Sequence, residues 1–193
     1  TLQPTHAAAG LNMGNASADV DDLASAEALY RTAISLDPAL AEAHASLGHL
    51  LTQQGRLPEA IAACEAALRV RPDFVQAHWN MAIASLLGGD LRGGFAAYEW
   101  RKLHARYRAD FPALPGRMWD GADPAGLTIL VRAEQGYGDA IQFARYLPLI
   151  RAAGGTPILI CAPVLVPLMR SIPGVEAIAP VDAVPGYDAW IDQ

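Results

Sequence analysis

The chain has 193 residues, 52% of them hydrophobic and 18% charged, with a net charge of −6 at pH 7. This composition is typical of one large or two small folded domains and excludes a disordered chain. The acidic balance argues against a nucleic-acid partner, and no apolar run reaches the roughly 20 residues of a membrane span.

The two cysteines indicate the redox environment. Cys64 and Cys161 lie far apart and form no C-x-x-C pair. We therefore expect neither a disulfide framework nor a zinc site, and we expect a reducing, cytoplasmic location. The start, TLQPTHAAAG, has neither an initiating Met nor a signal-peptide pattern, so we expect the chain to be cut from a longer protein.

The first half of the chain repeats every 34 residues. Matching positions are Tyr30, Cys64 and Tyr98, then Pro38 and Pro72, then His44 and His78. The clearest unit is AEAHASLGHLLTQQGRLPEAIAACEAALRVRPDF, residues 41–74. Its small residues, Gly48, Ala60 and Ala67, predict two antiparallel helices in close contact.

In period and in its pattern of small and large residues, this array resembles the tetratricopeptide repeat (TPR) over about residues 7–106. The first unit departs from the pattern, because Gly10 stands where an aromatic is usual and NASADVDD is a poor helix interior. The third unit has Arg101 and Arg106 in place of Ala and Pro, and its tail, AAYEWRKLHARY, is expected to continue as one longer helix. The resemblance implies a helical array over residues 1–106.

Such an array forms a concave face from the first helix of each unit. By repeat position, that face carries Glu42, Ala45, His49, Thr52, Gln76, Trp79, Ile83 and Leu86. The predicted protein-binding residues among these are His49, Gln76, Trp79 and Ile83. The lysine and asparagine set with which some of these repeats clamp a peptide carboxylate is missing. The alternative is that this face packs against a neighbouring repeat or the following domain. His44 and His78 occupy equivalent scaffold positions, so we expect no metal there.

The second half has a different pattern. Residues 107–126 are rich in proline and glycine and predict a linker, in which Trp119 is anchored in one of the two cores. Residues 127–193 then alternate: strands at about 127–132, 157–163, 175–180 and 189–191, with helices at about 139–153 and 164–172. This alternation predicts a parallel sheet with right-handed crossovers, a partial Rossmann-like α/β domain.

The loop after the first strand is the candidate ligand site. Ligands of open parallel sheets bind beyond the carboxyl ends of the strands. The predicted ligand-binding residues there are Glu134, Gln135, Gly136 and Gly138. A dinucleotide fingerprint needs a third glycine where Ile141 stands, and the phosphate-loop lysine is missing. Asp139 could cap the helix or act as a general base for an acceptor hydroxyl.

The stretch WDGADPAGLTILVRAEQGYGDAIQFARYLPLIRAAGGTPILI resembles bacterial proteins that fuse TPRs to a glycosyltransferase-like domain. That domain is of the two-Rossmann GT-B type, similar to the heptosyltransferase group, and the resemblance covers about residues 92–193. It implies that the chain is a TPR solenoid followed by the N-terminal half of a GT-B fold. In that group the Asp of the Gly-Asp pair is the proposed base, which implies a catalytic role for Asp139.

The donor nucleotide sugar of such enzymes binds in a second Rossmann domain, so we expect it to bind only a longer parent chain. This chain alone is expected to bind no cofactor and to be inactive, with its repeats binding a protein or peptide. The alternative is a non-enzymatic TPR interaction scaffold capped by a degenerate Rossmann half-domain. An uncovered sheet edge could also pair two copies into a homodimer.

Overall fold

The computed structural model describes residues 4–134, 136–178 and 186–192. The chain divides into two compact units, Thr1–Asp110 and Phe111–Gln193, which are described separately. Within the described ranges, no helix has both the length and the hydrophobicity needed to cross a bilayer.

The first unit is helical. Its elements are α1 (Pro4–Asp19), α2 (Leu23–Leu36), α3 (Ala41–Gln53), α4 (Leu57–Val70), α5 (Val75–Leu87), α6 (Leu91–Tyr98), a 3₁₀ segment (Glu99–Leu103) and α7 (Ala105–Asp110). Helices α1 to α6 form three successive pairs. The predicted helical repeat is thereby confirmed.

The turn inside each pair repeats with the 34-residue period. Asp21, Gly55 and Gly89 all have positive φ, at 62°, 74° and 89°. Only Gly adopts this region freely, whereas Asp tolerates it because its short side chain can bond locally. The next residue starts the following helix, and in two units it is an aspartate that caps it. Asp22 accepts a hydrogen bond from the Ser25 amide at 3.1 Å, and Asp90 accepts one from the Gly93 amide at 3.0 Å.

The paired helices approach closely where the sequence predicted it. Ala60 and Ala67 are fully buried. A Cβ added to Gly48 would lie 2.5 Å from the Cys64 sulfur, and one added to Gly14 would lie 2.6 Å from the Tyr30 ring. Real Cβ atoms do not approach other atoms so closely, so each glycine is required by the neighbouring helix.

Two local predictions in this unit were wrong. The NASAD segment is helical, because α1 continues to Asp19. The tail of the third unit is not one long helix, since α6 ends at Tyr98 and a 3₁₀ segment follows. Arg101 explains the change: it is buried, and its guanidinium donates to the Tyr98 carbonyl at 3.2 Å while lying over the Tyr98 ring. The arginine thus occupies a carbonyl that a continuing α-helix would use.

The second unit contains a five-stranded sheet that is parallel throughout. Its strands are β1 (Arg117–Met118), β2 (Thr128–Arg132), β3 (Thr156–Ile160), β4 (Glu176–Ile178) and β5 (Ala189–Asp192), in the order β1-β5-β2-β3-β4. The predicted parallel sheet is confirmed. Helices α8 (Tyr137–Ala144), α9 (Leu147–Ala152) and α10 (Val166–Met169) connect the central strands, with a 3₁₀ turn (Pro163–Leu165) before α10. The edge strands β1 and β4 have two and three residues, and short edges limit pairing with other chains.

The central strand β2 is buried on both faces. Ile129 and Val131 belong to the core that α8, α9 and α10 cover, while Leu130 belongs to a second core with Ile158 and Trp190. This arrangement explains why β2 is a continuous apolar run rather than an alternating one.

Prolines shorten the predicted helices of this unit. The helix expected at 139–153 is divided into α8 and α9, and the one expected at 164–172 is a 3₁₀ turn followed by the four-residue α10. Pro148 and Pro167 lack a backbone N–H, and a proline ring clashes with the carbonyl four residues earlier in a continuous helix. Each proline instead lies in the first turn of a new helix.

The segment expected as a linker, residues 107–126, contributes to both units. It begins with the end of α7 and contains β1, which pairs with β5. The Trp119 amide donates to the Trp190 carbonyl at 2.7 Å, and the Trp119 ring packs, partly buried, against the core of the second unit.

Candidate functional site

A groove of about 470 Å³ lies among the first helices of the three pairs in the first unit. Its lining is contributed mainly by α1, α3 and α5. The lining residues are Leu11, Asn15, Ala18, Asp19, Tyr30, Glu42, Ala45, Ser46, His49, Leu50, Gln53, Phe74, Gln76 and Asn80. The lining therefore combines apolar and hydrogen-bonding side chains.

Two buried polar side chains lie in this groove. Tyr30 is 3% exposed, and its hydroxyl donates to Asn15 Oδ1 at 2.9 Å. Burial, and then the negative charge of Asp19, raise the pKa of Tyr30, so it remains a neutral hydroxyl. Asn80 is 4% exposed; it donates to the Ala45 carbonyl and accepts from Gln76 Nε2, both at 2.9 Å. These bonds hold both side chains in fixed positions.

The groove lining carries acidic charge. Among the described lining residues the carboxylates are those of Asp19 and Glu42, and none is a lysine or an arginine. Arg71 donates to Glu42 Oε1 at 2.5 Å and lies over the Phe74 ring at 3.9 Å. Burial acts to raise the pKa of Glu42, but the hydrogen bonds from Arg71 and from the Glu42 backbone, together with the positive charge of Arg71, outweigh it, so the pKa of Glu42 is lowered.

The predicted protein-binding residues fall into two groups. His49 and Gln76 both line the groove. Trp79 and Ile83 do not; both are half-buried on α5, and the Trp79 ring lies 5.0 Å from that of Tyr98. The sequence reasoning missed Asn15, Tyr30, Ser46 and Asn80. Ser46 and Asn80 lie one repeat apart, beside Ala45 and Trp79 of the predicted face, so the repeat could have identified them.

The two equivalent histidines support the helix pairs. His44 Nε2 donates to the Pro38 carbonyl at 3.0 Å, and His78 Nε2 donates to the Pro72 carbonyl at 2.7 Å. Each therefore ties the start of a helix to the preceding turn. Among the residues that the structure describes, no three His, Cys, Asp or Glu side chains are grouped so as to hold a metal ion.

The loop after β2 is the second candidate site. Gly136 precedes α8 with φ 60° and ψ 137°, a conformation that favours glycine. Gly138 and Asp139 lie in the first turn of α8, and both are exposed. The residue at the N-cap position, Gly136, has no side chain with which to cap the helix. Glu134 is half-buried at the start of the loop, and Gln135 lies outside the described residues.

The loop lies where the strand order of the sheet changes direction. From β2 the chain continues to β3 and β4 on one side, whereas β5 lies on the other side. Ligands of open α/β sheets bind beyond the carboxyl ends of the strands at such a point. Arg132 and Asp192, at the carboxyl ends of β2 and β5, are joined by a buried ion pair of 2.7 Å. Arg132 also donates to the Pro112 carbonyl at 2.7 Å, so its guanidinium joins the carboxyl end of β2 to the segment before β1.

A largely apolar pocket of about 450 Å³ also lies in the second unit, and Asp192 at the carboxyl end of β5 is one of its lining residues. Its lining is Trp119, Gly121, Pro124, Val131, Phe143, Tyr146, Leu147, Leu149, Ile150, Ala153, Ile191 and Asp192. None of the described loop residues Glu134, Gly136, Gly138 and Asp139 lines it.

Comparison with known proteins finds a repeat model and repeat structures similar to the first unit. Residues 18–86 match the tetratricopeptide repeat model. The first TPR of Spaghetti (RPAP3), bound to the HSP90 peptide SRMEEVD, is similar with a TM-score of 0.51 and 15% identity over 53% of this chain and 81% of that chain. The TPR2AB domain–pHSP90 complex of yeast Sti1 has a TM-score of 0.50 and 22% identity over 53% of this chain and 40% of that one. At identities this low, the similarity shows a shared fold and nothing beyond it.

A longer relative covers most of the chain. Protein FlbA of Caulobacter vibrioides is 30% identical over 174 residues, which is 86% of this chain and 29% of FlbA. The chain thus spans less than a third of the length of that relative.

Proposed function

We propose that the first unit, which is built of tetratricopeptide repeats, binds a peptide segment of a partner protein. The peptide would lie in the groove among α1, α3 and α5. The observation that carries the proposal is the groove itself. It is about 470 Å³ in volume and combines exposed contact residues, His49 and Gln76, with the fixed polar groups of Tyr30 and Asn80.

The fold comparison supports a peptide as the ligand. The RPAP3 domain, which shares the repeat fold, is bound to an HSP90 peptide, and the Sti1 domain is in a complex with pHSP90. Trp79 and Ile83 would flank the bound segment rather than form the groove. Trp79 also has a structural role, because its ring packs on that of Tyr98.

The test uses a random dodecapeptide display library selected on the chain, followed by fluorescence anisotropy with the enriched peptides. The double variant His49→Ala/Gln76→Ala removes two exposed groove side chains and should weaken binding by about tenfold or more. The matched control is Glu65→Ala/Arg69→Ala, because both residues are exposed on α4 outside the groove. Equal affinity of the two double variants for every enriched peptide would contradict the proposal.

A second function is proposed for the second unit, as the acceptor-side half of a glycosyltransferase-like domain. The supporting observation is the exposed Gly138–Asp139 turn beside the carboxyl end of β2, at the change in strand order. There Asp139 would accept the proton of an acceptor hydroxyl as that oxygen attacks the anomeric carbon of the donor sugar, whose bond to the nucleotide diphosphate breaks so that the nucleotide leaves. Glu134 and Gln135 would orient the acceptor through hydrogen bonds.

Gly138 provides a further argument for a ligand at this turn. No described atom lies within 4 Å of a Cβ built on Gly138, so local packing does not require a glycine. Absence of a side chain there would let a ligand approach the backbone closely.

The test measures glycosyl transfer from a panel of nucleotide sugars by the natural full-length protein. Asp139→Asn should abolish most turnover while Gly138→Ala should raise KM, and Glu176→Gln, an exposed change on β4, is the control. Wild-type turnover by Asp139→Asn would exclude the base role. If the full-length protein binds its peptide but transfers no sugar, the interaction-scaffold alternative is favoured.

A further inference from the structure

We propose that the groove selects peptides that carry a lysine or arginine, with the carboxylate of Asp19 receiving the cation, and rejects acidic peptides. This inference rests on the proposed peptide-binding function and adds the chemical class of the ligand. The supporting observation is a difference between the two carboxylates that line the groove, those of Asp19 and Glu42. Within the described residues, only one of them is bound by an arginine of this chain.

The carboxylate of Glu42 is already paired, since Arg71 donates to it. Asp19, by contrast, is exposed at the last residue of α1, and no described residue donates a hydrogen bond to it. A ligand cation would therefore find its partner at the Asp19 end of the groove. No described lining residue is an arginine or a lysine that would compete for that carboxylate.

The helix ending at Asp19 adds to this negative potential. The last carbonyl groups of a helix carry a partial negative charge, which attracts cations. The last turn of α1 contains no basic residue to neutralise it. Asp21 and Asp22 follow immediately, and Asp22 caps α2 through Ser25, which lowers the pKa of its carboxyl group. Three aspartates thus stand close together in sequence at this end of the groove.

The negative charge of Asp19 extends into the groove. Burial is the main cause of the raised pKa of Tyr30, and the charge of Asp19 is the second. Tyr30 lines the groove, so a ligand bound against it lies within the field of Asp19.

Asn80 supplies a contact that does not depend on ligand charge. One N–H of its Nδ2 donates to the Ala45 carbonyl. The amide carries a second N–H, for which no described residue provides an acceptor. Since Asn80 is 4% exposed and lines the groove, this donor is available to a backbone carbonyl of an extended peptide. Backbone anchoring at Asn80 and charge selection at Asp19 together define the ligand.

The peptide SRMEEVD, to which the RPAP3 domain is bound, has the opposite charge to the ligand proposed here. Its two glutamates, its aspartate and its terminal carboxylate outnumber its one arginine. In this groove they would meet Asp19 and Glu42 rather than a cation. We therefore expect SRMEEVD not to bind measurably.

The experiment determines the charge of the dodecapeptides enriched on the chain, and then their affinity for charge variants. Enriched peptides should contain lysine or arginine, and their affinity should fall as ionic strength rises. Asp19→Asn should weaken them about two- to fivefold, in the range of an exposed ion pair, and Asp19→Lys should weaken them further. Glu65→Gln, which removes one exposed carboxylate outside the groove, should leave the affinity unchanged.

The outcomes separate the two proposals. Enrichment of acidic peptides whose binding is lost in His49→Ala/Gln76→Ala would overturn the charge selection and leave peptide binding intact. Basic peptides that bind Asp19→Asn as tightly as the wild type would also overturn it. Peptides that ignore the groove double variant, or a library that yields none, would count against peptide binding and hence against both.

Discussion

The side chain of Asn80 on α5 donates a hydrogen bond of 2.9 Å to the carbonyl of Ala45 on α3, joining two successive repeats beneath the groove. Both residues are buried. The bond is made between residues 35 positions apart, so it depends on the stacking of one repeat on the next.

Replacing Asn80 with Ala should therefore weaken the stacking of the repeats. The loss of a buried hydrogen bond and of the packed amide is expected to lower the free energy of unfolding by about 1–2 kcal/mol. Urea unfolding followed by circular dichroism at the helical minimum measures the change. Gln76→Ala is the control, because this exposed partner of Asn80 should cost little. Equal stability of Asn80→Ala and wild type would show that the inter-repeat bond contributes nothing.

Gly48→Ala should destabilise the middle repeat. The added methyl group would lie 2.5 Å from the Cys64 sulfur and 3.2 Å from the Ala60 carbonyl oxygen, so the helices must separate. Such overpacking costs about 1–3 kcal/mol, more than the helix propensity gained from alanine. Gly10→Ala is the matched control, since its nearest contact would be an ordinary 3.5 Å from the Ala33 Cβ. Thermal unfolding should rank Gly48→Ala below wild type and Gly10→Ala at or above it.

Glu27 should make the first unit sensitive to acid. Arg56, which precedes α4, donates to Glu27 Oε1 on α2 at 2.7 Å, and Arg31 also binds this carboxylate. The hydrogen bond from Arg56 is the main reason that the pKa of Glu27 lies below its ordinary value of 4.5. A lowered folded-state pKa gives stability that is present above pH 4.5 and lost as the pH falls through the folded value.

The free energies of unfolding of wild type and Glu27→Gln should therefore differ by about 1 kcal/mol at neutral pH and converge at acidic pH. Urea titrations at a series of pH values measure this difference. Glu65→Gln provides the comparison, because Glu65 is exposed on α4. A constant difference between wild type and Glu27→Gln at every pH would refute the linkage.

Breaking the Arg132–Asp192 pair should destabilise the second unit strongly. The Asp192 side chain is 2% exposed, so Arg132→Met would remove the Arg132 guanidinium from a buried carboxylate, at a cost of about 3–5 kcal/mol. Cys161 is buried in this unit, and its labelling by a thiol reagent in a Cys64→Ala background reports opening of the sheet. Labelling should accelerate in Arg132→Met, recover largely in Arg132→Met/Asp192→Leu, and remain slow in the exposed control Arg117→Met. Unchanged labelling in Arg132→Met would mean that the pair does not stabilise the sheet.

The sequence predicted the elements well wherever side-chain periodicity governs them. Tyr30, Cys64 and Tyr98 marked the repeat, and the apolar run of β2 marked a strand buried on both faces. Helix boundaries were less predictable. Pro148 divided a continuous apolar pattern into α8 and α9, and the buried Arg101 ended α6 through its contact with Tyr98.

The candidate groove was predicted only in part. His49 and Gln76 follow from the repeat position, and they do line it. Trp79 and Ile83 follow from the same rule but lie outside the groove. The rule gives the helix face on which a residue lies, whereas which face remains open depends on what packs there, and Trp79 packs on Tyr98.

The amino-acid sequence by itself determined the period of the helical array, the parallel strands and the residue types at each repeat position. Local propensity and burial of apolar side chains depend on neighbours along the chain, so these features can be recognised from sequence. Only the tertiary structure decided that Asn15, Tyr30, Ser46 and Asn80 meet in one groove, and that Arg132 pairs with Asp192. Such contacts join residues 15 to 60 positions apart, and their geometry is set by the packing of whole helices and strands.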